Sequence, residues 1–567
     1  MTFFTSAYRL FSVFVAGLVF MTLPVMAVAQ QIPSVADPGI IARTLEQDGP
    51  GRGAMSDVSI VLPTMDDPVI SGSTEKIFVL NDIILDENTV YDPKDLQSIT
   101  DEFKGEEVSF ADLNRIAANL TRKYRNDGYI FSRVVLPPQK IKDGIVHMRA
   151  IEGRVENVNI TGDYKDRLHL IRAMANKIHS TGPTNTRDIE RYLLLIDDLP
   201  GITARSFVTP SETQGAGDLT IVVEQKAFEG SLSVDNRGSR FVGPWRGEAV
   251  AALNSVFGMH DRTTLRTIIA AEPRELRYGE IMHEQQIMDE GLRLKGRYAL
   301  TATKPGGSLR PLGIDGDNEL FDLEALFPAI RSRDLNLNLI GGFMANNTKT
   351  TLSDIEIGKD RIRSMRMNAR LDFMDSWLGI NQFDLGATQG LRVFGATDDG
   401  IGRSRANGDH TFLRFNATAT RVQDLGLPGV SAFISATAQQ TSDPLLASEE
   451  FTVGGASFGR GYDSGEIAGD KGYAGLFELR YSDFVENHKV LESYQLYSYV
   501  DYGKVKNVAP IFGEQDSESI TSIGAGIRFN LKQDFSGYFE VSQPLDKDVN
   551  AEEDKGTRVF VNLIKRF

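Results

Sequence analysis

The chain contains no cysteine in 567 residues, which excludes disulfides, thiolate metal sites and cysteine nucleophiles. That absence also suits a polypeptide that passes unfolded through an oxidising compartment. Its seven histidines show no metal-ligand clustering, and His283-Glu284 lacks the second histidine of a zinc-protease helix. There is no phosphate-cradling P-loop, so nucleotide hydrolysis is not the expected source of work. Positive charge is in deficit, with 61 Lys and Arg against 77 Asp and Glu, and the net charge of -16 argues against nucleic acid as a partner. Past residue 29, no stretch reaches the roughly 20 consecutive apolar residues of a spanning helix. No metal and no cofactor are expected.

What is present begins with an export signal over residues 1–29. Arg9 precedes an apolar run from Phe11 to Met26, and Ala27-Val28-Ala29 offers a cleavage site before Gln30. Ala36 to Gln47 then reads as a short separate helix. Asp37 is its N-cap, Pro38 its first helical position, and Ile40, Ile41 and Leu45 its apolar positions. Residues 48–73 are rich in Gly, Pro, Asp and Ser and read as a linker. A helix on a long tether can occupy a remote site and leave it.

Residues 75–225 have α+β texture. Ile77 to Leu85 is an expected strand. Ser109 caps a helix whose Phe110, Leu113, Ile116, Leu120 and Tyr124 share one face, and Asp127-Gly128 stops it. Strands are expected over Tyr129 to Leu136 and Ile145 to Ile151. The plan then recurs from residue 154, with a strand over Val155 to Ile160, one helix carrying Leu168, Ile171, Met174 and Ile178, another carrying Ile189, Tyr192, Leu193 and Ile196, and strands over Ile202 to Val208 and Leu219 to Val223. Each unit is a small sheet backed by helices, with an edge able to accept another strand.

From Ala227 to Phe567 no amphipathic helix is legible. Segments of roughly ten residues alternate apolar and polar positions between Gly, Asp and Asn clusters, the signature of a transmembrane antiparallel barrel of about 16 strands. In Ser522 to Leu531 the apolar positions are Ile523, Ala525, Ile527 and Phe529, while Arg528 takes the polar face. Facing Arg or Lys to lipid at mid-bilayer costs about 2 to 4 kcal/mol, which assigns the polar face to the lumen. The last strand alternates in the same way, with Val559, Val561, Leu563 and the terminal aromatic Phe567 on one side; Lys565 shares it near the end, where its stem can snorkel. A soluble sandwich would instead bury the apolar faces between sheets.

One connection is too elaborate for a simple porin. Phe451 to Gly472 is glycine-rich and centres on Arg460 between Gly459 and Gly461, followed by Tyr462. Within it, Gly455 to Gly459 satisfies G-x-S-x-G, but the helix that a nucleophile elbow requires cannot follow. Asp197-Asp198 and Asp398-Asp399 read as helix-end and loop charges rather than paired catalytic carboxylates. No enzyme is expected.

The sequence here resembles the two-partner secretion transporters of the haemolysin-activator and filamentous-haemagglutinin-exporter type, within the POTRA-plus-barrel superfamily that includes the outer-membrane assembly factors. The family's sixth extracellular loop carries Gly-Gly and then Arg-Gly-aromatic, matched by Gly454-Gly455 and Arg460-Gly461-Tyr462. Gly459 stands where the family commonly has Val, and implies a more flexible tip. A second motif, aromatic-x-Asp-x-Gly, is matched by Tyr499, Asp501 and Gly503. The resemblance implies that the loop folds into the lumen and that Arg460 pairs with Asp501 on the barrel wall. Glu478 and Arg480 are further inward candidates for that pairing.

By the same resemblance, residues 30–47 form a pore plug, 75–151 and 154–225 two periplasmic POTRA domains, and 227–567 an outer-membrane barrel of a Gram-negative bacterium with lumenal loop 451–472. The expected partner is one large secreted client protein, usually β-helical, captured unfolded at the POTRA edges. Outer-membrane lipid and, during biogenesis, the barrel assembly machinery reading Phe567 complete the expected partners of a monomeric pore. The alternatives are an outer-membrane protein assembly factor, disfavoured by only two POTRA-like units and a plug-like helix, and a passive porin, disfavoured by the periplasmic domains and the Arg-Gly-Tyr loop.

Overall fold

The computed structural model describes residues 33–47, 60–61 and 72–567, apart from 168, 180–181, 214, 398–401, 487 and 511–512. The expected export signal, residues 30–32 of the expected plug segment, most of the expected linker, Leu168 and the Asp398-Asp399 pair lie outside the described residues.

Helix α1 (Pro38–Gln47) is followed by a two-residue strand β1 (Ile60–Val61). The first α+β unit then comprises β2 (Lys76–Val79), β3 (Asp82–Asp86), α2 (Pro93–Thr100), β4 (Glu107–Ser109), α3 (Phe110–Asn126), β5 (Arg133–Val135) and β6 (Ile145–Ile151). The single strand expected over Ile77 to Leu85 is in fact two. Leu80 exchanges backbone bonds with Gly105 and Glu106, whereas Asn81 donates to Gly144 O, so the chain switches from the β2-β4 pair to the β3-β6-β5 sheet between them. The strand expected over Tyr129 to Leu136 shrinks to Arg133–Val135 because Tyr129 and Ser132 close turns behind α3. Ser109 and Asp112 form a reciprocal capping box on α3, and Lys76 Nζ lies 2.8 Å from Asp112.

The second unit consists of β7 (Arg154–Asp163), α4 (Leu170–Ile178), α5 (Thr186–Asp197), β8 (Ile202–Pro210) and β9 (Ala216–Gln225), packed over Ile171, Met174, Ile189, Leu193, Leu219 and Ile221. Its sheet order is β1-β8-β9-β7, so the linker itself adds a parallel strand to the β8 edge, with Ile60 opposite Ser206 and Val61 opposite Phe207.

The remaining chain closes into a barrel of sixteen strands. Its first half is β10 (Phe228–Asp235), β11 (Arg246–Asn254), β12 (Asp261–Ala270), β13 (Leu276–Gln286), β14 (Arg293–Thr303), β15 (Ile314–Arg331), β16 (Leu335–Leu352) and β17 (Ile355–Met374). Then come β18 (Gly379–Gly390), β19 (Leu413–Leu427) and β20 (Val430–Thr441), a short hairpin β21 (Phe451–Val453) and β22 (Ile467–Gly469) that stays out of the wall, and β23 (Lys471–Phe484), β24 (Leu491–Lys506), β25 (Ser517–Leu531), β26 (Phe535–Pro544) and β27 (Arg558–Arg566). β27 pairs antiparallel with β10, which leaves no open edge. Leu265, Ile281, Phe321, Phe477, Val500 and Leu563 are exposed on the outer wall. Lys565 sits by the rings of Phe535 and Phe567 and donates to Gln533 O.

Ion pairs fix the second α+β unit to the near end of the barrel. Arg331 makes two 2.8 Å bonds to Asp198, Lys177 and Arg191 reach Glu290, and His260 faces Asp166. Asp197 accepts from the Ala204 amide, so the Asp197-Asp198 pair is structural.

Candidate functional site in the barrel lumen

The loop between β20 and β23 turns inward. Its β21–β22 hairpin lies along β24, where a Cβ on Gly503 would meet Val453 Cγ1 at 2.4 Å, so the backbone can approach only because residue 503 has no side chain. Phe451, Val453, Tyr462 and Ile467 pack with Val505 and Ile520 from the wall. At the tip, Gly459 has φ +72°, a left-handed conformation in which a β-branched residue is strained. The glycine that replaces the family's Val therefore sets the turn, beyond the flexibility read from sequence.

Arg460 Nη1 reaches Glu478 Oε2 at 2.5 Å, and its guanidinium lies 4.7 Å from the Tyr499 ring centre. The expected side-chain pair with Asp501 is not formed. Asp501 accepts instead from the Arg460 backbone N–H at 2.9 Å and from the Ser522 hydroxyl, while Gly461 N–H donates to Ser522 Oγ. The reason is register. Glu478 stands opposite Tyr499 across β23 and β24, one inward row nearer the α+β units than Asp501. The short carboxylate meets the loop backbone, and the long guanidinium extends to the next row.

Glu478 is fully buried and serves three guanidiniums, with Arg480 Nε at 2.6 Å and Arg528 Nη1 at 2.7 Å besides Arg460. Glu540, missed in the sequence reading of the site, holds Arg237 at 2.5 Å and accepts from Tyr497. Arg237 in turn donates to the Arg460 carbonyl. Tyr462 Oη accepts from the Asp546 and Lys547 amides, and Arg558 pairs with Asp463 at 2.5 Å. At the far end, Arg405 bridges Asp470 and Glu514 at 2.5 and 2.6 Å, tying a neighbouring loop to the root of this one. Ser457 is followed by bends rather than a helix, so the G-x-S-x-G match has no elbow.

Helix α1 fills the other side of the bore. Asp37 Oδ1 accepts from the Gly39 and Ile40 amides. Ile41 and Leu45 pack against Ile268, Leu276, Tyr278, Leu320 and Met344, an inward apolar patch on β12, β13, β15 and β16 that the expectation of a uniformly polar lumen did not contain. Ile40 is buried against the loop, where a Cβ on Gly465 would meet its Cγ2 at 2.8 Å. Such burial contributes about 1.5 to 3 kcal/mol per side chain. Polar contacts fix the register: Arg266 donates to Leu45 O at 2.8 Å, Arg297 pairs with Glu46 at 3.3 Å, Ser34 Oγ donates to Gly465 O, and Arg43 donates to the Ser448 and Glu450 carbonyls.

A sixteen-strand barrel preceded by strand–helix units, with an arginine loop folded into its bore, defines a transporter of the POTRA-plus-barrel class. The profile described as haemolysin secretion/activation protein ShlB/FhaC/HecB matches residues 215–529, and that of the ShlB-type POTRA domain matches residues 78–153. The chain belongs to this haemolysin secretion/activation family. It is similar to the heme/hemopexin transporter protein HuxB of Haemophilus influenzae, 25% identical over 551 residues that cover 94% of this chain and 95% of that one. Outer membrane transporter CdiB of Escherichia coli is 22% identical over 74% of this chain and 71% of its own. The solved structure of CdiB from Escherichia coli superposes with a TM-score of 0.75 at 19% identity, covering 89% of this chain and 93% of that chain. Members are outer-membrane transporters that export partner proteins, with POTRA domains in the periplasm. The near end of the barrel is therefore periplasmic and the far end extracellular.

Proposed function

We propose that this chain exports one large client, captured unfolded in the periplasm, through a pore whose resting state is closed by residues 30–47. The proposed division is signal 1–29, plug 30–47, linker 48–73, POTRA units 75–151 and 154–225, and barrel 227–567 with loop 451–472. Strand addition at POTRA edges supplies sequence-tolerant backbone bonds to the client. A β-helical client that folds outside would bias its own diffusion outward. Insertion by the barrel assembly machinery and action as a single barrel complete the reading.

The observation that carries it is a bore filled by two separable elements, a wall-locked loop and a tethered helix. Arg460, Gly461 and Tyr462 are its lock, with Glu478, Asp501 and Gly503 as wall partners, and Ile40, Ile41 and Leu45 seat the plug. Deleting residues 30–47 is expected to raise single-channel conductance while secretion of a co-expressed large β-repeat protein continues. Unchanged conductance rejects the plug. Solute uptake without any secreted chain returns the molecule to a passive porin.

A further inference from the structure

The outer wall carries a basic cluster on the face away from the bore. On β17 the even positions face the bore, as Arg366 shows by pairing with Asp322, so Lys359 and Arg361 point outward. Their row can be followed through the sheet: Arg277 stands opposite Ala302, Ala302 opposite Asp317, Asp317 opposite Lys349, and Lys349 opposite Lys359. Arg361 is one row closer to the bilayer centre, opposite Asn347. Small residues Gly279 and Ala302 hollow the floor between these side chains, leaving a cavity of about 900 Å³.

Two features point to an anionic ligand. Lys349 and Lys359 are direct cross-strand partners, an arrangement of like charges that destabilises a sheet unless something neutralises it. Among the described residues, Arg277, Lys359 and Arg361 have no carboxylate partner, in a chain of net charge -16. The acids nearby are largely engaged: Glu319 accepts from Tyr298 and Asn347, and Glu356 lies 3.7 Å from Lys349, while Asp317 faces Lys349. Height in the membrane narrows the source of the anion. Arg277 is the second residue at the extracellular end of β13, and below the row of Glu319, Asn347 and Arg361 the face turns apolar, with Ile281, Phe321 and Leu323 exposed. On the same face the loop residue Phe394 meets Phe343 edge-on at 5.9 Å, in the row of Leu323, and extends that apolar band.

We propose that Arg277, Lys349, Lys359 and Arg361 bind the phosphorylated headgroup of an outer-leaflet glycolipid, whose acyl chains descend along the apolar band below. Guanidinium and ammonium groups are the natural partners of phosphate at such a boundary. The test titrates full-length protein in detergent with diphosphoryl lipid A, its dephosphorylated form, and inorganic phosphate. Wild type is expected to bind the diphosphoryl form at least tenfold more tightly than K359Q/R361Q, with heat-modifiable electrophoretic mobility reporting a folded barrel in both. The single variant K349Q, which relieves the like-charge pair, keeps the test open should the double variant misfold, and is expected to weaken binding about threefold. Equal affinity of folded variants and wild type, or equal binding of the dephosphorylated lipid, overturns the site. Displacement of the lipid by millimolar inorganic phosphate overturns the lipid as its ligand.

Discussion

Loop 451–472 and helix α1 share one bore but are held by different chemistry. The loop is continuous with the wall at both ends and is centred on a carboxylate with three guanidiniums around it. The helix rests on an apolar patch, and the wall arginines that touch it have wall partners of their own: Arg266 keeps Glu248 at 2.9 Å, and Arg297 keeps Asp322 at 3.2 Å. Removing the helix would leave Arg266 and Arg297 with these wall carboxylates. Loss of Glu478 would strand Arg480 and Arg528 and leave Arg460 only the more distant Glu540 at 3.8 Å. Under the proposed gating, the element that leaves is thus seated on groups that remain satisfied without it, whereas the element that stays is built into a network that fails if opened.

The largest effect is expected at Glu478. Glu478→Ala leaves Arg480 and Arg528 without a carboxylate and Arg460 with Glu540 at 3.8 Å, and should cost about 3 to 5 kcal/mol, abolishing export and exposing the amides of 451–472 to hydrogen exchange. Arg460→Ala leaves Glu478 with Arg480 and Arg528 and should cost less, about 1.5 to 3 kcal/mol. A double-mutant cycle separates the two wall acids. Arg460→Ala should couple to Glu478→Ala but add to Asp501→Ala within about 0.5 kcal/mol, because alanine keeps the amide that Asp501 accepts. Strong coupling to Asp501 would overturn the register argument.

The helix side of the comparison is broken at Arg266. Arg266→Gln removes a charged donor from the Leu45 carbonyl, worth about 1.5 to 3 kcal/mol, and should raise the open probability roughly tenfold or more in single-channel records while leaving loop exchange unchanged. Smaller again is Gly459→Ala, which puts a Cβ at a left-handed position and 2.8 Å from Ile520 Cδ1. About 1 to 2 kcal/mol is expected from the backbone conformation, read as faster exchange at the loop tip with the helix undisturbed.

The sequence makes the barrel legible because period-two alternation reports which side of a wall each residue faces, and that is enough to count strands and turn Arg528 inward. It does not report which inward residues become neighbours. The apolar seat for α1 collects Ile268, Leu276, Leu320 and Met344 from four strands, and each looks like an isolated exception within its own segment. The same limit explains Glu478. The motif carries Asp501, but the arginine's reach is decided by the row it lies in, which only pairing sets. Helix α2 did leave a signal that the reading passed over: Asp92 before Pro93, with Asp95 closing a capping box. Strand β1 left none, since two residues in a linker have no period.

The smallest expected effect lies outside the membrane and serves as a control for the comparison. At the N-terminus of α3, Asp112 accepts from Lys76 and from the Ser109 hydroxyl and amide, and these contacts hold its carboxyl well below the usual carboxylate range. A carboxyl lowered in the folded state stabilises it at pH values above its unfolded range, near 4, and loses that contribution as pH falls through the folded value. Hydrogen exchange at the first amides of α3 should therefore quicken as pH drops below about 4, after correction for the intrinsic pH dependence of exchange. Asp112→Asn should produce the same loosening at neutral pH, at about 1 kcal/mol. Lys76 is half exposed, so salt should weaken this pair while leaving the buried Arg460–Glu478 pair unmoved. If salt released the loop as readily as the cap, the lumenal network would be solvated, and the contrast between a built-in loop and a removable helix would lose its physical basis.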